Sequence, residues 1–121
     1  VILFNRREKK MDTRDELREQ CRKIADEIGA GTYDMTDCDI DDWGWPAHYL
    51  NDALDIEYTV SSNFEYLGAR VCVALGGPNI YIDTRNKAVQ GYWGSDRAEV
   101  SYSHDPLGLD DYCCELYEAS R

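Results

Sequence analysis

Four aspartates and two tryptophans crowd into TDCDIDDWGWP, residues 36–46, where Asp37, Asp39, Asp41 and Asp42 lie beside Trp43 and Trp45. Clustered carboxylates suit a hard cation, an acid–base pair or an imitation of nucleic-acid charge, and each chemistry makes a demand that spacing can meet or fail. As a calcium loop beginning at Asp37, the first, third and fifth positions are Asp. The sixth is Asp42, where a sharp turn needs Gly, and the twelfth is His48, where a bidentate Glu belongs. The loop fails at both. Acid–base work needs two carboxyl groups in different environments, whereas Asp41/Asp42 and Asp110/Asp111 are merely adjacent in sequence, where side chains diverge.

The other reactive residue types are equally unarranged. His104 followed by Asp105 could pair a base with its orienter, but no Ser stands in a G-x-S-x-G context and no Cys has the surroundings of a nucleophile, so HDP reads as an exposed turn. GGPN, residues 76–79, lacks the helix and Lys of a phosphate loop and serves a tight bend. His48 and His104 stand in no zinc-binding pattern. No catalytic residue, metal or cofactor is therefore assigned. Five cysteines, Cys21, Cys38, Cys72, Cys113 and Cys114, form an odd set without a C-x-x-C pair, which points to free thiols in a reducing cytoplasm. One of Trp43 and Trp45 is expected to plug the core, where a Trp buries roughly 150–250 Å². The other suits an anchor for a protein partner.

Charge is the strongest signal. The net charge is -11 over 121 residues, and from Ile24 to Ala69 there is no Lys or Arg among eleven carboxylates. A second stretch, Ala98 to Ser120, carries Glu99, Asp105, Asp110, Asp111, Glu115 and Glu118 without a base. Direct binding to nucleic acid or to an anionic membrane is disfavoured, since both need the opposite sign. A surface of carboxylates without cations can instead enter the Lys and Arg channel of a nucleic-acid-binding protein, with aspartates in place of phosphates.

The elements that must position these residues follow from periodicity. Thr13 and Glu16 have capping-box spacing, and Leu17, Cys21, Ile24, Ala25 and Ile28 form one apolar stripe, predicting a helix over 13–28 that Gly29 ends. Pro46 opens a short second helix with Tyr49, Leu50, Ala53 and Leu54 inward. The period then becomes two. DIEYTVS, LGARVCVAL, NIYID and AVQGYW read as strands, with AEVSYS a weaker fifth, and the tail from Asp110 reads as a helix capped by that residue. The inward rows include Leu67, Ala69, Val71, Val73, Leu75, Ile80 and Ile82, with Val89, Gly91 and Trp93 on one side of the fourth strand. The outer face carries Glu57, Thr59, Arg70, Tyr81, Asp83, Gln90 and Tyr92. The fold class is α+β: an antiparallel meander of four to five strands with helices on one face, in the order α-α-β-β-β-β-(β)-α.

Length fits a single domain over 11–121, and no apolar run approaches the roughly 20 residues of a membrane span. The basic segment VILFNRREKK, residues 1–10, reads either as translated leader ahead of a start at Met11 or as an extra strand. Without its four bases and one acid the net charge moves from -11 to -14.

Residues 49–94, YLNDALDIEYTVSSNFEYLGARVCVALGGPNIYIDTRNKAVQGYWG, resemble small acidic accessory proteins carried by phages and conjugative elements, with GGPNIYIDTR and GYWG the distinctive segments. The resemblance covers under half the chain and implies a mobile-element setting, in which short acidic proteins block restriction or CRISPR nucleases. The expectation is a cytoplasmic, non-enzymatic inhibitor or nucleic-acid mimic of the anti-restriction or anti-CRISPR kind. Asp34, Asp37, Asp39, Asp41, Asp42, Trp43, Trp45, Asp52, Asp55 and Glu57 would meet the basic surface of a defence nuclease. One alternative is an accessory interaction module that binds through Tyr81, Tyr92 and Trp93, its acidity serving only solubility. The other is a small hydrolase using a carboxylate or His104.

Overall fold

The computed structural model describes residues 13–31 and 53–121. Helix α1 spans Thr13–Ala30, and its buried residues are Leu17, Cys21, Ala25 and Ile28, the stripe that the spacing predicts. It runs past Gly29, and the left-handed residue that ends it is Gly31, with φ +64. A Cβ at Gly31 would lie 3.2 Å from Pro106 Cγ, so backbone conformation and close packing both favour Gly there. The Thr13 hydroxyl donates to Asp96 instead of standing ahead of the helix as a cap.

Five strands follow: β1 (Asp55–Val60), β2 (Tyr66–Ala74), β3 (Asn79–Asp83), β4 (Ala88–Trp93) and β5 (Asp96–Ser101). They form one antiparallel sheet in sequence order, β1-β2-β3-β4-β5, so the meander is five-stranded. The last strand begins two residues earlier than AEVSYS suggests. The chain closes with helix α2, Leu109–Ser120. Of the second helix expected from Pro46, only Ala53 and Leu54 fall among the described residues. Leu54 is 57% exposed and donates its N–H to Cys72 O, already continuing the sheet rather than lining a helix. The expectations for residues 1–10, and those for Pro46, Tyr49 and Leu50, lie outside the described residues.

Both helices cover one face. Leu17, Cys21, Ala25 and Ile28 of α1, and Leu109 and Cys113 of α2, join Ala69, Val71, Ile80, Ile82, Val89 and Ala98 of the sheet in one buried cluster. α1 packs on β4 and β5, and α2 packs on β2. Each fully buried Leu, Ile or Val contributes about 1.5–3 kcal/mol over its exposed state. Gly91 belongs to this contact: an added Cβ would stand 2.6 Å from Leu17 Cδ1 and 2.8 Å from Cys21 Sγ, so the absent side chain lets α1 sit against β4.

The ends of the alternation differ from expectation. Leu67 and Leu75 are 40% and 58% exposed, because the pairing of β1 with β2 shifts between Thr59 and Val60 and that of β2 with β3 between Cys72 and Ala74. The cap of α2 also differs. Asp105, not Asp110, accepts the N–H groups of Leu109 (2.9 Å) and Asp110 (3.0 Å), while Gly108 precedes the helix at φ +78. Asp110, freed from capping, accepts hydrogen bonds from Tyr66 Oη and Thr84 Oγ1, each at 2.7 Å.

Candidate functional site

The sheet face away from the helices holds the outer row that the alternation predicts. Register sets Glu57 opposite Arg70 and Arg70 opposite Asp83; Tyr81 stands opposite Gln90 and Tyr92 opposite Arg97. Side-chain directions then divide this face by charge. The Arg70 guanidinium lies 3.7 Å from the centre of the Tyr81 ring, and its Nε donates to Gln90 Oε1 at 3.2 Å. Gln90 in turn donates to Glu99 at 3.3 Å. Arg70 is thereby drawn across β3 towards β4 and away from Glu57. Ion pairs within 4.0 Å include Glu19–Arg22 and Glu118–Arg121. Asp55 and Glu57 are exposed on β1 and have no cation partner among the described residues.

A second acidic surface comes from α2. Asp111, Glu115 and Glu118 are exposed and recur at helical spacing, so they form one ridge on the side away from buried Cys113. Asp105 and Asp110 come from the same acidic stretch but are occupied internally, the first by the backbone of α2 and the second by Tyr66 and Thr84. α2 is anchored further by the Tyr117 hydroxyl, which donates to Phe64 O at 2.7 Å, and by the Tyr117 ring, 5.3 Å from that of Tyr58.

The alternative surface is split by the sheet. Tyr81 and Tyr92 meet edge-to-face on the open side, 6.1 Å between ring centres, with the Arg97 guanidinium 5.9 Å from the Tyr92 ring. Arg18, Gln90, Tyr92, Arg97, Ala98 and Glu99 line a shallow cavity of about 240 Å³ beside them. Trp93 packs against the core on the helix side, so it is not part of this patch.

The reactive groups read as structural where they are described. Burial pushes the Cys21 thiol up to about 11, against a smaller lowering by Arg18. Burial, with the charges of Asp110, Asp105 and Cys114, pushes Cys113 up to about 12. Both thiols stay protonated at neutral pH, the opposite of an activated nucleophile. Burial likewise raises Tyr66 and Tyr102 above the ordinary tyrosine range. His104 is exposed, with Nδ1 2.9 Å from Ser103 Oγ, and Asp105 is turned away to α2. Among the described residues no group of three or more His, Cys, Asp or Glu could hold a metal ion, and no helix is long and apolar enough to cross a membrane. Asp34, Asp37, Asp39, Asp41, Asp42, Trp43, Trp45 and Asp52 lie outside the described residues, as do Cys38 and His48.

Asp111, Glu115 and Glu118, noted in sequence as part of the second base-free stretch but not among the expected contact residues, matter to these surfaces. Their 4-and-3 spacing within a base-free helix was the available signal. Comparison with protein-family models, with curated proteins and with solved structures finds no match.

Proposed function

We propose that the chain is a protein-binding inhibitor that presents carboxylates to the basic surface of a nucleic-acid-binding protein, in the manner of the anti-restriction and anti-CRISPR proteins of mobile elements. The carrying observation is the exposure of Asp55 and Glu57 without a cation among the described residues, although Arg70 lies opposite Glu57 in register. In ordinary surface packing such a pair would close across the strands. Here the base is held on Tyr81 and Gln90, and the acids remain available. The ridge of α2 adds Asp111 and Glu115, with Glu118 paired to Arg121, and the stretch from Asp34 to Asp52 adds six carboxylates in sequence. A partner built to release counterions from phosphates would meet a comparable density of negative charge.

A second reading has its own observation: the Tyr81–Tyr92 pair, on the sheet face that no described element covers, would suit an accessory module that docks by aromatic contact. The two differ in salt dependence. Immobilised protein should capture nucleic-acid-binding proteins from the host at low salt, release them at high salt, and lose them to competing duplex DNA. The combined variant Asp39→Asn, Asp41→Asn, Asp42→Asn, Asp55→Asn, Glu57→Gln should bind more weakly and with a flatter salt response. Capture insensitive to salt and to duplex DNA, but lost in Tyr81→Ala with Tyr92→Ala, would replace the first reading by the second.

A further inference from the structure

The free edge of the sheet at β1 combines four features that together describe an occupant. β1 is the terminal strand, and among the described residues no backbone hydrogen bond reaches it from the side away from β2. Its residues alternate strictly, with Asp55, Glu57 and Thr59 exposed and Ile56, Tyr58 and Val60 half-buried. Ile56 and Tyr58 of the half-buried row pack against the core on the helix side, and among the described residues no strand lies beyond β1 to cover their outer flank. The two ends of the strand are marked by exposed apolar side chains, Leu54 at 57% just before it and Phe64 at 63% in the hairpin after it.

Phe64 is not a loose loop residue. Its φ is +64, which is uncommon for an aromatic residue, and its backbone is held from both sides. Phe64 N donates to Ser61 O at 2.9 Å, and Phe64 O accepts from Tyr117 Oη at 2.7 Å. Ser61 Oγ accepts the N–H groups of Asn63 and Glu65, fixing the same turn. A left-handed residue with its ring in water is a costly place for Phe unless the ring has a contact to make.

We propose that the β1 edge takes an extended partner segment in which Lys or Arg alternates with apolar residues, added as a sixth strand. The main chain of such a segment would satisfy the edge groups of β1 that have no partner among the described residues. One row of its side chains would extend the helix-side row of Ile56, Tyr58 and Val60; the other would lie cross-strand from Asp55 and Glu57, at about 4.5–5.5 Å between Cβ atoms. Charge selects this edge over its opposite: β5 exposes both Arg97 and Glu99, so no partner of single sign fits it. The inference rests on the reading above in that the partner is basic, and it adds how the partner is held.

The test uses three short synthetic peptides with the full chain: one alternating Lys and Val, the same peptide N-methylated at alternate residues, and one alternating Glu and Val. Binding is read by fluorescence anisotropy and by hydrogen–deuterium exchange resolved to β1. The Lys/Val peptide should bind and slow exchange at residues 55–60, the N-methylated form should bind at least about tenfold more weakly, and Glu57→Lys should weaken the Lys/Val peptide by a similar factor. Equal binding of the N-methylated peptide without protection of β1 would overturn strand addition while leaving the basic-partner reading intact. Failure of the Lys/Val peptide to bind, beside salt-sensitive capture of nucleic-acid-binding proteins, would do the same. Equal binding of the Glu/Val peptide would overturn both.

Discussion

Replacing Thr84 by Val removes one hydroxyl and little volume, yet the surroundings of that hydroxyl make the change expensive. Thr84 is 3% exposed. Its Oγ1 accepts the N–H of Ala69 at 2.9 Å and donates to Asp110 Oδ1 at 2.7 Å, with a longer approach to Ala69 O at 3.3 Å. The variant strands a buried N–H, which costs about 1–3 kcal/mol, and deletes a bond to a carboxylate, worth about 1.5–3 kcal/mol. Asp110 keeps the Tyr66 hydroxyl at 2.7 Å, which offsets part of the second cost. The expected loss is about 3 kcal/mol, a large share of the roughly 5–15 kcal/mol that holds a domain together. At a urea slope of about 2 kcal/mol per M, the midpoint should fall by about 1.5 M. Thr84→Ser, which keeps the hydroxyl, should recover most of it. Tyr66→Phe should couple to Thr84→Val in a double-mutant cycle, because together they leave Asp110 without either donor. A Thr84→Val midpoint within about 0.25 M of the parent, or a Ser variant as unstable as Val, would refute the account of how α2 is fixed to the sheet.

Asp105→Ala should lower stability by about 1–2 kcal/mol and speed amide exchange at Leu109 and Asp110, whose N–H groups it accepts, with Asp105→Asn falling between; exchange unchanged at those two amides would remove the cap assignment. The buried thiols give a pH dependence. Cys21 and Cys113 rise from 9.0 to about 11 and about 12, so the folded state binds their protons more tightly than the unfolded chain does. The associated stability is complete below pH 9 and is lost as pH climbs from there through 11–12, on the order of 3 kcal/mol for Cys21 and about 4 kcal/mol for Cys113. Urea midpoints should decline from pH 9 upward, and at pH 8 iodoacetamide should modify half-buried Cys114 well before Cys21 or Cys113 by mass spectrometry. Rapid alkylation of Cys113 in the folded protein would contradict its burial.

Periodicity made the sheet legible because its two faces meet different solvents. Strict alternation through Ile56, Tyr58 and Val60, and again through Ile80 and Ile82, could have only one face inward, and the outer row from Glu57 to Tyr92 followed from it. The exposed ends of β2 were not legible, since a bulge slips the pairing without altering the residue pattern that advertises it. Asp110 shows the same limit in side chains. Its position before an apolar helix stripe matches a cap, but its partners Thr84 and Tyr66 lie 26 and 44 residues away, beyond any local spacing rule. Asp105 could take the cap because Gly108, at φ +78, lets the chain turn between that side chain and the first helical N–H groups. At the candidate site, the acidity of Asp55 and Glu57 was readable, whereas the diversion of Arg70 to Tyr81 depends on a neighbour one strand further across.

A meander also converts order along the chain into position across the sheet, and this explains where the acids of β1 and α2 come to lie. Strand order equals sequence order, so β1, the strand drawn from the base-free stretch Ile24–Ala69, becomes an edge. Bases return only at Arg70, Arg85, Lys87 and Arg97, further into the sheet. The chain then reverses: α1 already occupies β4 and β5, so the closing helix finds its uncovered apolar surface over β2. α2 is drawn from the second base-free stretch, Ala98–Ser120, and is thus carried back towards the β1 side of the molecule. Two acidic segments far apart in sequence are thus placed at the β1–β2 end of the sheet, Asp55 and Glu57 on its open face and the ridge of α2 on its helix side, by topology and apolar packing. Like charges gathered in this way oppose folding rather than assist it. In the function proposed above, this arrangement, which stability alone would not favour, would be met by a partner of opposite sign.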